Sequence, residues 1–575
     1  MILIEKTYPG TFDALFDQAE GDRIETWTFD DGATRARAET EFAEKGIVAR
    51  CRSAYKPLVS AFLEDIETDG LVSASVIYPR HPAATEARFL LESYPLAALY
   101  PQVDFTFAPG LPSDEIPGYK LVLSYKNGEC RTRYVLAPNR LHEDFAGERA
   151  LSPCGWLITG GNAYPLSTAY ETIFFDAMTA IRDADWGDSE PFFEELNIAV
   201  TLPTADEPLA YGDEVMSLRE ALHEEFYFSC LEVFQQRSGR PRGDRHLQPG
   251  QIVPEICYGD AYTVKVETRP YDGSSFSDYM QPSCMLECPL SRRQIDEELA
   301  TLGGVRFEAF SVAGRRLEGG YVAGTDRPMI ISAGQHANET SSPAGTLRAA
   351  QQLAQNQGAH FTLCPLENPD GYALHQRLIV DNPRHMHHAA RYTALGDDLE
   401  YREGVALHEK MIRLEAERLA PDALLHLNLH GYPAHEWTRP LSGYIPRGFE
   451  MWTIPKGFFL MLRYAPGWAA AGRALLEAVT LRLGRVPGLH AFNEAQIAVF
   501  DIHAGAIGFE MINGFPCWLC EDDRHRVAMT LITEYPDETI YGNAFRAGVA
   551  AQEATVLAAY EALQTLDLSV NGAMK

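Results

Sequence analysis

Basic charge is what this 575-residue chain has least of. Its 49 Lys and Arg face 80 Asp and Glu, a formal net charge of −31 at pH 7. Nucleic acid and anionic membrane surfaces both demand a basic face, so neither is expected as a partner. Cysteine is sparse, with 10 in the chain. The opening Met1-Ile2-Leu3-Ile4-Glu5-Lys6-Thr7-Tyr8 has no basic segment followed by an apolar core and a small-residue cleavage site. Export is therefore not expected, the thiols are expected reduced, and the expected location is cytoplasmic. Long apolar runs are missing: the richest, Gly457 to Leu462, stops at Arg463, so no membrane-spanning helix is expected. Low-complexity tracts and internal repeats are absent, so neither a disordered tail nor a solenoid is indicated. A GxSxG elbow, a GxxxxGK loop and a GxGxxG turn after a strand are lacking too, removing three common enzyme chemistries.

Two cysteine pairs remain, Cys284/Cys288 and Cys517/Cys520. Together they would suit a structural zinc site, but no redox-type strand–helix context surrounds Cys517. They are read as ordinary buried thiols.

The first ~290 residues divide into an α+β region over 1–160 and an accessory region over 161–292. Asp31–Lys45 and Ala54–Glu67 read as helices. Leu121–Tyr125 and Arg131–Leu136 flank Asn127-Gly128, a hairpin turn whose residues tolerate positive φ. Val215–Gln236 shows helical apolar spacing. Its His223-Glu224-Glu225 lacks the second histidine of a zinc-binding helix, since Tyr227 stands there, and is read as the polar face of a helix.

From residue 293 the pattern alternates. Strand-like runs fall at Pro328–Ser332, His360–Leu366, Ala423–His430, Ala498–His503 and Ile507–Ile512. Helix-like runs fall at Pro343–Asn356, Gly404–Leu419, Trp468–Leu483 and Asn543–Leu566. Residues 293–575 are therefore expected to form an α/β fold, with a mixed, mainly parallel sheet between helical layers. Such sheets bind ligands beyond the carboxyl ends of their strands. His336 and Glu339 follow one strand and precede a helix; imidazole and carboxylate are both zinc ligands. His430 ends another strand, while His426, deeper in it, is read as a core or supporting residue. Glu510, alone in an apolar strand, is expected buried, with its pKa raised towards that of a general base.

In order, His336-Ala337-Asn338-Glu339, Glu367-Asn368-Pro369-Asp370-Gly371-Tyr372, Leu429-His430-Gly431-Tyr432 and Gly508-Phe509-Glu510-Met511 resemble the motifs of the zinc carboxypeptidase family. The resemblance spans about 295–565. It implies a three-layer α/β/α sandwich holding one Zn2+ per chain on His336, Glu339 and His430, with Glu510 activating water. Arg391–Leu399 resembles the family's Arg-x4-Gly-x-Asp-Leu segment, which implies that Arg391 polarises the scissile carbonyl; Arg384 is the runner-up. The family continues with Asn-Arg, which holds the substrate's free carboxylate. This chain has Glu400-Tyr401 followed by Arg402, so the substrate-binding candidates are Glu400, Tyr401, Arg402 and Arg384. A carboxylate in that pocket repels a carboxylate substrate.

The expected function is hydrolysis of a peptide or amide bond by a metallopeptidase with an atypical carboxylate pocket. The alternatives are a zinc-dependent deacylase or amidase of a small N-acyl amino acid or blocked peptide, and a non-catalytic binding protein. Expected partners are a peptide or small amide substrate, with homo-oligomerisation left open. The cluster His385-Met386-His387-His388 is read as surface or substrate rim, and His503 equally as a residue orienting Glu510 or as core.

Overall fold

The computed structural model describes residues 1–18, 22–241, 243–272, 277–282, 285–404, 406–524 and 526–567. Cys284 lies outside them.

In the N-terminal half, the strand Ile2–Tyr8 pairs with Tyr262–Arg269 at the far end of the region. Glu195–Leu202 and Gln251–Tyr258 complete that four-stranded sheet. Residues from both sides of position 160 thus share one sheet, and the expected division between 1–160 and 161–292 runs through it. The hairpin expected around Asn127-Gly128 forms, with Gly118–Tyr125 antiparallel to Cys130–Leu136. The helix Ala169–Asp183 begins in a capping box between Thr168 and Glu171, which satisfies backbone N–H groups that the first turn leaves free.

The long helix Leu218–Arg237 starts at Ser217, whose side chain accepts from Glu220 N. Its polar face does not meet solvent: His223, Glu224 and Glu225 are buried. The helix is wedged between the N-terminal sheet and the C-terminal half, so its acids are satisfied across the junction. His435 Nε2 lies 2.8 Å from Glu220, Glu224 contacts His388, and Glu225 accepts from Leu441 N at 2.6 Å. One hydrophobic core accordingly joins Phe226 and Phe234 to Leu374, Met386 and Trp437.

Residues from 305 on build a nine-stranded mixed sheet. Its order is Val305–Phe310, Arg316–Val322, Phe361–Cys364, Met329–Ala333, Leu425–Tyr432, Met529–Pro536, Phe459–Tyr464, Phe515–Glu521 and Glu510–Ile512. The parallel part is the central block from Phe361 to Met529, together with the pair Phe459/Phe515; the remaining contacts are antiparallel. The helices Ser341–Leu353, Ala469–Leu483 and Asn543–Thr565 bury one face. The helix Met411–Leu419 covers part of the other, packing Ile412 and Ala416 on Phe307 and Ile330. This is an α/β/α arrangement in a mixed α/β chain with an additional N-terminal region.

The run ending in His503 is not a strand. Leu489–Ala504 is a helix, and His503 is buried against the N-terminal half, its Nδ1 2.9 Å from Ser93 Oγ. The three consecutive apolar positions Ala498-Val499-Phe500 serve helix packing as well as a strand, and periodicity does not separate the two. Among the described residues no helix is long and apolar enough to cross a membrane.

Candidate metal centre and active site

The strand Met329–Ala333 delivers the loop that carries His336 and Glu339. That loop is tied to the next strand's end: Glu367 N donates to Ala333 O and Asn368 N to Gly334 O. Asn368 then caps the helix Pro369–Leu378 by accepting from Gly371 N, with Pro369 in the first turn, where no N–H is needed. Asp370 is anchored by Arg315 at 2.9 Å and Ser311 Oγ at 2.7 Å. Gly371 has a steric reason. A Cβ there would sit 2.6 Å from Ala390 O and 2.8 Å from Tyr392 O, so only glycine lets the Arg391 segment cross so close. Gly431 works similarly after His430, since a Cβ would meet Asp537 Oδ1 at 2.0 Å.

These constraints bring His336, Glu339 and His430 together, all buried, with one ligand atom from each inside a 4.8 Å group. His336 Nδ1 is 2.7 Å from Glu339 Oε1. His430 Nδ1 is 2.9 Å from Glu339 Oε2 and 3.0 Å from His336 Nδ1. Two imidazole nitrogens turned on each other beside a carboxylate are a poor neutral packing arrangement and a good zinc donor set. The far nitrogen of His336 faces Asp398 Oδ2 at 3.4 Å, the kind of outer contact that sets a ligand's ring orientation. Burial opposes charge on Glu339, but the two imidazoles and Arg391 outweigh it and hold its carboxyl far below the usual range. Burial pushes the His430 pKa down and favours its neutral, ligating form. The donor chemistry therefore fits Zn2+.

Arg391 reaches the same place. Its Nη1 donates to Glu339 Oε1 at 2.7 Å and lies 3.5 Å from Glu538.

Glu510 is not there. It sits on the outermost strand, four places along the sheet from the His430 strand, roughly 19 Å away at the usual strand spacing. Its side chain is 49% exposed and pairs with Arg473 at 2.6 Å. The hydrogen bond from Arg473 lowers its pKa, the reverse of the expected rise. The strand Glu510–Ile512 is short and at an edge, so an acid there needs no buried partner.

An acid that the sheet does bring to the trio is Glu534, on the strand Met529–Pro536, directly opposite His430 in the parallel register. It is buried, and burial, followed by the charge of Glu339, pushes its pKa well above the usual value. The available signal was Thr533-Glu534-Tyr535-Pro536, an acid at the carboxyl end of an apolar run just before the last helix.

The substrate-binding candidates disperse. Arg402 is fully buried, bonded to Asp397 at 2.5 Å and to Glu409, and has a structural place in the loop. Arg384 is 60% exposed and pairs with Asp213 at 3.0 Å. Glu400 lies two residues beyond Asp398, held by Arg463 at 2.6 Å and Arg413 at 3.3 Å. The Tyr401 ring packs under Arg245, whose Nη1 donates to its hydroxyl at 3.2 Å. His385, His387 and His388 are buried at the junction of the two halves and not on a rim: chain that is loop-like by sequence is covered there by the Leu218–Arg237 helix.

Residues 310–401 match the family model Peptidase_M14, zinc carboxypeptidase. No curated protein matches the chain. Among solved structures, a metallo-carboxypeptidase from Burkholderia cenocepacia is 15% identical over 53% of this chain and 76% of its own, with a TM-score of 0.30. Carboxypeptidase A from Helicoverpa armigera is 11% identical over 53% of this chain and 90% of its own, with a TM-score of 0.26. His430 and Glu534 lie beyond the matched stretch and join it through the sheet. The segment bearing His336, Glu339, Arg391 and Asp398 is thus similar to the zinc carboxypeptidase family, Peptidase_M14.

Proposed function

We propose that this protein is a zinc-dependent hydrolase of a peptide or amide bond. The observation that carries the reading is the convergence of His336, Glu339 and His430, with Glu534 opposite His430 and Arg391 beside Glu339. His336, Glu339 and His430 would hold the ion. Zinc in such a site supplies a Lewis acid that polarises a carbonyl and acidifies water. Glu534 takes the proton of the attacking water and returns it to the leaving amine. Burial suits it to this exchange, because it brings its proton affinity closer to that of the groups it serves. Arg391 donates to the carbonyl oxygen as negative charge grows there.

Glu400 and Arg402 support a second reading of the substrate. The position where the family holds a free carboxylate carries an acid, and Arg402 is committed to Asp397 and Glu409. A blocked or acylated substrate, split by an amidase or deacylase, meets no repulsion there. Hydrolysis of N-blocked dipeptides and of their C-terminal amides by zinc-loaded protein separates the two. Preference for the free acid supports a carboxypeptidase, preference for the amide supports an amidase, and no hydrolysis of either overturns the hydrolase reading for these substrates.

A further inference from the structure

Residues 244–250 of the accessory region lie against the loop that carries Asp398 and Tyr401. Gly250 N donates to Leu395 O at 3.0 Å, and Gln248 Nε2 donates to Asp397 Oδ2 at 2.9 Å. A Cβ on Gly396 would stand 2.4 Å from Gly250 O, so glycine is what lets the two stretches of backbone approach. Leu247 is buried. Asp244 is held by Arg240 at 3.3 Å and by His246 at 2.7 Å. Within this pinned stretch Arg245 is exposed, and its Nη1 donates to Tyr401 Oη at 3.2 Å. Its guanidinium is 4.9 Å from the centre of the Tyr401 ring.

A second guanidinium, that of Arg524 from a different loop, stands 5.6 Å from the same ring. Like charges gathered at one phenol repel, and a ring face at an exposed site offsets little of that. Arg524 has its own acid, Asp522, at 2.6 Å. The neighbouring Glu400 is taken by Arg463 at 2.6 Å and Arg413 at 3.3 Å. Arg245 bonds to a phenol, and among the described residues no carboxylate pairs with it. In a chain where 80 acids face 49 bases, that is an unmatched cation at a fixed place. The place is the edge of the candidate site. Tyr401 N donates to Asp398 O at 3.0 Å, and Asp398 Oδ2 lies 3.4 Å from His336 Nε2. Arg245 joins that contact through Tyr401 and does not touch the ligands themselves. A cation so placed suits a substrate side chain that extends away from the scissile bond better than a group fixed beside that bond.

We propose that Arg245 is a specificity-determining residue, supplied by the accessory region, that binds the carboxylate of an acidic side chain in the substrate. This rests on the hydrolase reading, and it holds whichever acid is the base. A guanidinium offers parallel N–H donors that match both oxygens of a carboxylate. Tyr401 holds the group in place before the substrate arrives, which lowers the cost of ordering it on binding.

The test uses the full-length, zinc-loaded protein and N-blocked dipeptides, with their C-terminal amides, that differ only in Glu against Gln. Wild type is expected to favour Glu about tenfold in kcat/KM, mainly through KM. Arg245→Ala is expected to remove the preference, Arg245→Lys to keep most of it, and Arg245→Glu to reverse it. Tm is expected to stay at the wild-type value in all three, because the side chain is exposed. A second readout needs no turnover: calorimetric binding of the same pairs to zinc-loaded Glu534→Gln protein, with and without Arg245→Ala. A Glu preference that survives in Arg245→Ala overturns the proposal, as does its absence in wild type when either member of a pair is hydrolysed. A free-acid preference that depends on Arg245, with no difference between Glu and Gln, also overturns it, because the carboxylate bound is then the terminal one. A fall in Tm with unchanged preference makes the contact with Tyr401 structural and overturns it too. No hydrolysis of any pair counts against the hydrolase reading, and the binding measurement then decides Arg245 by itself.

Discussion

Glu534 and His430 face each other across two neighbouring parallel strands, each at a carboxyl end of the sheet. That register puts an acid next to a metal-ligand candidate with no loop between them. Glu534→Gln is expected to lower kcat by roughly 10²–10⁴ while zinc content is unchanged. Glu510→Gln, on the far edge strand, is expected to keep wild-type kcat. Steady-state kinetics of the two variants side by side decide it, and the reverse ranking would restore Glu510.

Metal content is the most direct check of the trio. Elemental analysis is expected to find about one zinc per chain, and much less in His336→Ala and His430→Ala. A wild-type protein that takes up no zinc after reconstitution would remove the basis of the hydrolase reading.

Arg391 is close enough to the trio to stabilise charge that develops on a carbonyl oxygen. Arg391→Ala is expected to reduce kcat by about 10²–10³, with Arg391→Lys intermediate because it keeps the charge and loses the fork. Loss confined to KM would recast Arg391 as a binding residue.

Arg402 is expected to matter for folding and not for substrate. Removing it leaves Asp397 and Glu409 buried without their cation. Arg402→Ala should therefore cost about 3–5 kcal/mol of stability, read as a fall in Tm, with KM of the folded fraction unchanged. A raised KM at unchanged Tm would return Arg402 to the substrate pocket.

His435 joins the two halves of the molecule through Glu220 at 2.8 Å. Burial opposes its protonation, but Glu220, with Glu214 and Asp213 also facing it, wins and carries the pKa from 6.5 up to about 9. A raised histidine pKa contributes stability that is complete below the unfolded value and is lost as pH climbs through the folded one. Wild-type protein is therefore expected to lose stability relative to His435→Gln between about pH 6.5 and 9. Urea midpoints of both proteins across that range measure it; parallel curves would show that the pair is not linked to folding.

Much of the site was legible locally. His336 and Glu339 stand three apart between a strand and a helix, Asn368-Pro369 announces a helix start, and His430-Gly431 ends an apolar strand. The helix start among these patterns has its cause within a few residues, a cap and a missing N–H, whereas the need for Gly431 comes from Asp537 across the sheet. The alternation of strands and helices after residue 293 was legible for a local reason too, and with it the α/β class.

Other features have causes far away in the chain. Glu510 and Glu534 are each an acid in an apolar strand, and nothing within five residues says which strand lies beside His430. Sheet order decides that, and sheet order comes from how helices cross over and which faces they bury. The burial of Glu220, Glu224 and His388 is likewise invisible locally, because it needs the helix Leu218–Arg237 to meet chain about 165 to 215 residues away. The sequence by itself determined the ligand types, their spacing and the fold class, since these follow from local backbone preference and apolar periodicity. Only the tertiary structure decided which acid meets the candidate metal ligands and which arginines are spent on structure, because long-range packing sets those distances.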